Sequence, residues 1–565
     1  MLQLQNNINT LKLLIFFSIW LGTLFPQSYR VVGSVLNSET KYPISNVSVY
    51  IHNLNIGTIT DEEGYFSLYL DNHLEENVDL HIKMIGYEEV CQQVYLMKTK
   101  IDLGEIYLIK QSLELESVHV HSHEIETNQI SDILLSDQEL NKNLIGNIAM
   151  TLSNQPNIGV SSFGAVTSKP VLRGYSGDRF LLTKDGNRIG DLSQSSADHA
   201  ITLEIAEITE IQIIRGPKSL IYGSNAIGGI INTSIADNPS IRVDRFIKKF
   251  FLGGESFNQG VYANMNLYIP FKNNQINLLF NNRYTSNQSS PIGELENTYS
   301  KTSNYRLGFT KYKETSYLNF IFENFEMDYG IPPSAEGHIS GVDIELVKNT
   351  FQINFHKDIS LFNFEQFDVK YNFIDYEHRE FENNLDYSSV ALSKNTNNLK
   401  VEFKSINSIM GTELSYKQFV PSGFYWTPRT NEIDFSIYGF NEKELDGFNL
   451  LSSFRAGHLS ISPEKSNISF SNLDNEEVRN RNFSYFSSSV GVRKIINRFE
   501  INGWLMNTMK APRIEELYSD GPHLGSYSYE IGEPNLNLEK IYGIETSVAY
   551  KVNSLNRKFI PQKNS

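Results

Sequence analysis

At 565 residues the chain has room for several domains, or for one large barrel with small domains attached. Apolar residues make up 40% and charged residues 20%, the balance of a folded protein, and a net charge of −16 argues against a nucleic-acid partner. A single cysteine, Cys91, excludes an internal disulfide and a cysteine-based metal cluster, and reads as a small buried apolar side chain. The chain opens on Lys12 and the apolar run "LLIFFSIWLGTL" (Leu13 to Leu24), with Pro26 behind it. A membrane-crossing helix takes about 20 residues, so this run reads as the core of an export signal over residues 1–28. No later stretch is long and apolar enough for a spanning helix, so a membrane form has to be a barrel.

Residues 29–110 show short alternating runs around Val31, Val47, Val49 and Ile51, with a hairpin turn at Asp61-Glu62-Glu63-Gly64. "GYFSL" and "IKMIGYEEV" resemble the carboxypeptidase-regulatory-like β-sandwich, which implies an accessory module with nothing catalytic in it. Residues 113–124 follow as "LELESVHVHSHE", a short β-prone stretch. His119, His121 and His123 alternate along it and so share one face of a strand, either as a metal-sensing cluster or as solvated side chains.

Residues 125–240 are rich in glycine. Gly223 and Gly228 have the spacing of a phosphate loop, but Gly229-Ile230 stand where the lysine and the magnesium-binding hydroxyl belong, so that reading fails. The ordered set is "VLRGYSGDRFLLTKDGNRIG", with Arg173, Gly174, Asp185 and Gly186, then "EIQIIRGPKSLIYGSNAIGGIIN". The second stretch supplies Arg215, Gly216, Pro217, Tyr222, Gly223, Gly228, Gly229 and Asn232. This succession resembles the plug domain of TonB-dependent outer-membrane receptors. The resemblance implies a small α+β domain inside a barrel, with glycines for tight turns and Arg215 holding barrel-wall carboxylates by a fork-shaped bond. It also implies that Glu116, Ser117, Val118, His119 and Val120 form the coupling segment. There the TonB–ExbB–ExbD complex would engage, TonB adding a strand main chain to main chain.

From 244 to 565 the sequence alternates with period two. Leu399, Val401 and Phe403 oppose Lys400, Glu402 and Lys404; Phe367, Val369, Tyr371 and Phe373 oppose Asp368, Lys370 and Asn372. Ile433, Phe435 and Ile437 oppose Asp434 and Ser436 in the same way. A soluble sandwich or a transmembrane barrel would both alternate so. About fourteen consecutive segments, rich in aromatics and behind an export signal, favour the antiparallel barrel. The resemblance implies twenty-two strands, so about eight are missing and the barrel is expected to be incomplete.

Asp198-His199 within "SSADHAITLEIAEITEI" resembles the zinc-uptake branch of these receptors, as does "APRIEELYSDGPHLGSYSYEIGEPNLNLEK" with His523. "YGIPPSAEGHISGVDIEL" places Glu336, His338 and Glu345 where that branch carries a histidine-rich loop. The resemblance implies that Asp198, His199 and His523 form a lumen-facing metal site, with Glu345 as fourth ligand and His338 near it. By spacing alone, Asp198 and His199 equally read as a hydrogen-bonded tie between plug and wall. The expectation is a mainly β, monomeric outer-membrane receptor in contact with lipid, importing zinc or a metal chelate as cargo. It needs no resident cofactor and performs no covalent chemistry. A siderophore or other small-nutrient receptor, a non-transporting surface-binding protein and a truncated remnant are the alternatives.

Overall fold

The computed structural model describes residues 29–550 apart from 39, 52–55, 71–76, 85–86, 88, 97–98, 110–132, 165, 236–241, 335–339, 383–385, 466–472, 475, 524–525 and 527. The expected export signal, the Glu116–Val120 segment with its neighbouring histidines, and the loop bearing Glu336 and His338 therefore lie outside the described residues. The chain divides into two compact units, 1–121 and 122–565.

In the first unit, Tyr29–Asn37 is the middle strand of a three-stranded sheet, antiparallel to Tyr65–Leu70 and parallel to Lys100–Leu108. A second sheet runs in the order Ile56–Ile59, Ser48–Ile51, Asn77–Lys83, Val90–Tyr95. Val31, Val35, Phe66 and Leu68 from one sheet and Val49, Leu80 and Ile82 from the other share one core, as a two-layer sandwich requires. The turn between the sheets closes on Gly64 at φ +74°, where a Cβ would fall 2.6 Å from the Val35 carbonyl oxygen. Cys91 departs from expectation. It is exposed, because the alternation of Val90–Tyr95 turns it outward toward the His81 ring, 3.8 Å away.

The second unit holds a five-stranded mixed sheet in the order Asn187–Arg188, Leu181–Lys184, Ile230–Ile235, Ile208–Ile214, Ile133–Ser136, with short helices Asp137–Asn143 and Ile148–Leu152. Asp185 and Gly186, both at positive φ, make the two-residue hairpin turn, and Asn232 braces it. Its Oδ1 accepts from the Thr183 hydroxyl at 2.8 Å and from the Gly186 N–H at 3.0 Å. Gly216 sits at φ +66°, and a Cβ there would stand 2.9 Å from Cε2 of Trp504 on the surrounding wall. The glycine of Arg-Gly-Pro thus serves a close approach of backbone to indole.

Around this sheet fourteen antiparallel strands, from Ile247–Glu255 to Glu539–Tyr550, each pair with the next. Turns such as 314–315, 362–363 and 446–447 close one end, and long connections such as 332–341, 383–389 and 511–538 close the other. Among the described residues no pairing joins the first strand to the last. The alternation decides between barrel and sandwich. Ile433, Phe435 and Ile437 are 51%, 51% and 47% exposed, whereas Lys400 and Glu402 are 9% and 4% exposed, against the inner domain. A water-soluble sandwich would do the reverse; apolar outside and charged inside is the pattern of a wall set in lipid.

The charged lining ties wall to inner domain. Arg455 is fully buried: one guanidinium nitrogen meets Glu413 and the Ser436 hydroxyl, and the other donates to the carbonyls of Leu220 and Ile221. Arg455→Ala leaves Glu413 buried without its counter-charge and is expected to cost about 3–5 kcal/mol, whereas Arg455→Met with Glu413→Leu recovers most of the loss. Denaturant unfolding of the detergent-solubilised protein reads both.

Candidate metal centre

The loop after the Asn187–Arg188 strand is shaped by one carboxylate. Asp191 accepts from the Ser193 N–H and hydroxyl at 3.1 and 2.7 Å, and from the Thr202 N–H and hydroxyl at 2.9 and 3.0 Å. Four bonds to one half-buried carboxylate pinch residues 191–202 into a closed loop. The wall then fixes its tip. The Tyr329 hydroxyl donates to the Asp198 carbonyl at 2.9 Å and accepts from the Ala200 N–H at 3.0 Å. Backbone and tether together leave the Asp198 and His199 side chains one direction to take.

Within that loop, His199 Nδ1 faces the Leu192 carbonyl at 3.1 Å and the Ser195 hydroxyl at 3.1 Å. With Nδ1–H donating to the carbonyl, Nε2 presents its lone pair outward from the loop. His523 lies on the hairpin Asp520–His523/Ser528–Ile531, with Nδ1 2.8 Å from Glu530 Oε1 and its ring edge-on to Trp426. Glu530 thus orients this imidazole as outer-shell carboxylates orient metal-binding histidines. The third contribution is Glu380, inward-facing on the strand Phe364–Glu382.

Asp198, His199, Glu380 and His523 each offer a ligand atom, and these atoms all lie within 4.8 Å of one another. His199 Nε2 is 3.9 Å from Asp198 Oδ2 and 3.8 Å from Glu380 Oε1; His523 Nε2 is 3.4 Å from Asp198 Oδ1. Tetrahedral zinc at 2.0–2.1 Å from each donor sets neighbouring donors about 3.3 Å apart, so the three pairs close by about 0.1–0.6 Å and the widest separation in the set by up to about 1.5 Å. Among the described residues, Asp198 Oδ2, His199 Nε2 and His523 Nε2 are buried with no hydrogen-bond partner, although each is a strong polar atom. Such an atom costs about 1–3 kcal/mol when left without a hydrogen bond, and here the 3.4 Å ion pair of His523 with Asp198 offsets part of that cost.

Electrostatics hold the set charged. Burial works against the Asp198 carboxylate, yet His523 and His199 beside it hold its pKa well below the usual carboxylate range. Burial likewise disfavours the His523 cation, but Asp198 and then Glu530 raise its pKa well above the usual imidazole value. The pair is a buried carboxylate facing a buried imidazolium.

Three of the five metal-site residues read from the sequence, Asp198, His199 and His523, come together here. Glu345 does not. Its strand, Val342–Leu361, turns Ile344 and Leu346 inward, and Glu345 lies exposed on the lipid-side face with Phe351. The register pairs Ile344 with Glu380, so the carboxylate comes from the neighbouring strand. His338 lies outside the described residues. His378, two residues before Glu380 and also inward, was likewise missed; its ring centroid is 4.4 Å from that of His199. The signal was present in the alternation that turns Phe367, Val369, Tyr371 and Phe373 outward. Continued, it puts His378 and Glu380 on the inner face with Asp368 and Asn372.

The arginines of the glycine-rich domain converge elsewhere, on the last strand of the wall. Arg173 meets Glu545, Arg179 Nε is 3.0 Å from Glu539, and Arg215 reaches Glu545 at 3.9 Å through one guanidinium nitrogen.

Two family models match the chain: TonB-dependent Receptor Plug Domain over residues 124–230 and CarboxypepD_reg-like domain over residues 31–120. The heme/hemopexin utilization protein C of Haemophilus influenzae (strain 86-028NP) is 31% identical over 130 residues, 22% of this chain and 17% of that protein. The vitamin B12 transporter BtuB of Vibrio vulnificus (strain YJ016) is 24% identical over 267 residues, 42% of each chain. The chain therefore spans less than half the length of these curated relatives. Among solved structures, the copper transporter OprC superposes with a TM-score of 0.64 at 12% identity, covering 74% of this chain and 69% of that one. The FrpB iron transporter from Neisseria meningitidis (F3-3 variant) does so with 0.57 at 10% identity, covering 75% and 71%. Residues 124–230 thus carry a TonB-dependent receptor plug domain and residues 31–120 a CarboxypepD_reg-like domain, and the plug with the wall around it shares the fold of these two transporters.

Proposed function

We propose that this chain imports a divalent transition-metal ion, zinc foremost, across the outer membrane. The observation that carries the reading is the convergence of three buried, unpartnered donor atoms with Glu380 at the seam of plug and wall. Two imidazoles and two carboxylates suit zinc, and the absence of sulfur from this set disfavours cuprous copper. Apolar and aromatic side chains enclose the site, among them Tyr329, Tyr425, Trp426 and Tyr518. That enclosure suits a bare ion better than the haem or vitamin B12 named for the relatives.

The division of the ligands supplies a release mechanism. Asp198 and His199 travel with the plug, Glu380 stays with the wall, and His523 belongs to a connection on the long-loop side. Displacing the plug by a few ångströms separates two ligands from the other two, and affinity collapses with the geometry. TonB, driven by ExbB–ExbD and pairing with Glu116–Val120, is the source of that displacement in this reading. The site thus binds while the plug is seated and lets go when it is pulled.

The test is uptake of labelled zinc, alongside iron chelates, by zinc-starved cells carrying the gene. His199→Ala is expected to weaken zinc binding by the purified protein at least about tenfold and to reduce uptake with it. Equal uptake by both forms overturns the metal assignment. Deleting residues 115–122 is expected to abolish uptake and leave binding intact; uptake that survives removes the coupling role. Acidity offers an independent check. His523 has a raised pKa and must lose its proton before Nε2 ligates, so below that pKa one proton leaves for each metal bound. Apparent zinc affinity is then expected to rise about tenfold per pH unit and level off above the pKa. Competition with a metal-binding dye measures this, and a flat profile excludes His523 as a ligand.

A further inference from the structure

The strand Phe364–Glu382 carries a second metal-capable side chain that the four-residue site does not use. Its inward face reads Asn372, Ile374, Tyr376, His378, Glu380 in successive pleats, all buried. His378 and Glu380 interrupt a band that is otherwise apolar. Their partners on the flanking strands are Leu346 and Leu392 for His378, and Ile344 and Val390 for Glu380, all four of them buried. A fully buried histidine in such a wall is costly unless paired. His378 meets Glu380 Oε1 through Nε2 at 3.2 Å and the Tyr376 hydroxyl through Nδ1 at 3.4 Å. A carboxylate only accepts, so Nε2–H donates to Glu380 and Nδ1 accepts from the Tyr376 hydroxyl; a cation that displaces the Nε2 proton would sit between this imidazole and the carboxylate it already faces.

Position gives this histidine a direction. The strand rises from the 362–363 turn to the 383–389 connection, so His378 lies one pleat, about 6–7 Å, nearer the short-turn end than Glu380. Below it on the same face, Ile374 and Asn372 line a cavity of about 230 Å³ along the seam between plug and wall. Leu192 and Ser193 of the Asp191 loop line the same cavity. Leu192 is also the residue whose carbonyl faces His199 Nδ1, so the loop that holds the metal-site histidine forms part of the cavity wall. Glu432 and Lys417, paired at 2.9 Å, make that wall polar.

Resting on the zinc reading above, we infer that His378 is a transit ligand, which takes the cation from Asp198, His199, Glu380 and His523 and passes it toward the seam cavity. Glu380 serves both positions: it ligates with the upper three residues at rest, then with His378 once the plug has carried Asp198 and His199 away. The cation then never faces the apolar band without a donor. The exchange keeps the metal bound through Glu380 while His378, its proton moved to Nδ1, takes the place of His199 and water fills the positions that Asp198 and His523 leave, so no redox or covalent step is involved.

The experiment compares zinc binding and zinc uptake in His378→Gln, made in the full chain, with His378→Asn as a second variant where glutamine is too long for the site. A transit ligand is absent from the resting set, so binding by the purified variant is expected within about threefold of the parent, while uptake in zinc-starved cells falls at least about tenfold. Binding at near-parent strength also shows that the variant is folded. Removing a histidine that merely orients Glu380 weakens binding about 10–100-fold, as outer-shell losses do, and that result overturns the inference. Uptake within twofold of the parent overturns it equally. A parent protein that neither binds nor takes up zinc removes the underlying reading, a failure distinct from a variant that differs from an active parent.

Discussion

A strand that faces lipid on one side has nowhere to put a charge except the other side. That constraint governs the fourteen strands of the wall, where the apolar parity faces out and the polar complement is driven inward. Polar side chains driven inward have to be satisfied, and the wall does part of this itself, as where Arg493 meets Glu442. The glycine-rich domain supplies the missing partners. Lys184 bridges to Glu323 at 2.7 Å, Lys348 donates to the Thr202 hydroxyl at 2.6 Å, and Arg455 closes on the 216–221 turn. Plug and wall are two halves of one hydrogen-bonding system, and neither half is complete without the other.

Against that background the Asp198 cluster stands out by what it lacks. Elsewhere along the seam, cations meet carboxylates: Arg306 and Lys184 share Glu323, and Arg493 meets Glu442. At Asp198 two buried carboxylates face histidines, with no lysine or arginine among the four ligand-capable residues. Histidine is the cation that can be dismissed, because it loses its proton near neutrality where arginine does not. A seam intended only to lock plug to wall is better served by arginine, as Arg455 shows. A seam meant to exchange one positive charge for another is better served by imidazole.

The apolar band around the cluster complements this chemistry. Ile344, Leu346, Val390 and Leu392 keep water from Glu380 and His378, which strengthens each electrostatic contact there and narrows the choice of species able to occupy the site. The four hydrogen bonds of Asp191 tie the two ends of the 191–202 loop together and so brace the backbone that carries Asp198 and His199.

The sequence by itself determined the architecture, because period-two alternation, the hairpin residues Asp185-Gly186 and the ordered Arg-Gly-Pro stretch are local signals whose physics lies within a few neighbouring residues. Resemblance in two short stretches also named Asp198, His199 and His523. The fourth ligand was a different matter. Choosing Glu345 over Glu380 required knowing which parity of each strand faces inward, and a slip of one residue sends a side chain to the opposite face. Parity near a strand's end, beside a long connection, is weakly marked in sequence, since apolar residues occur on both faces there: Ile344 and Tyr376 point inward as surely as Phe351 and Phe373 point outward. Only the register of fourteen paired strands, set around a plug whose residue 198 meets residues 380 and 523, decided which carboxylate and which additional histidine lie in the cluster, because those distances depend on the pairings between them.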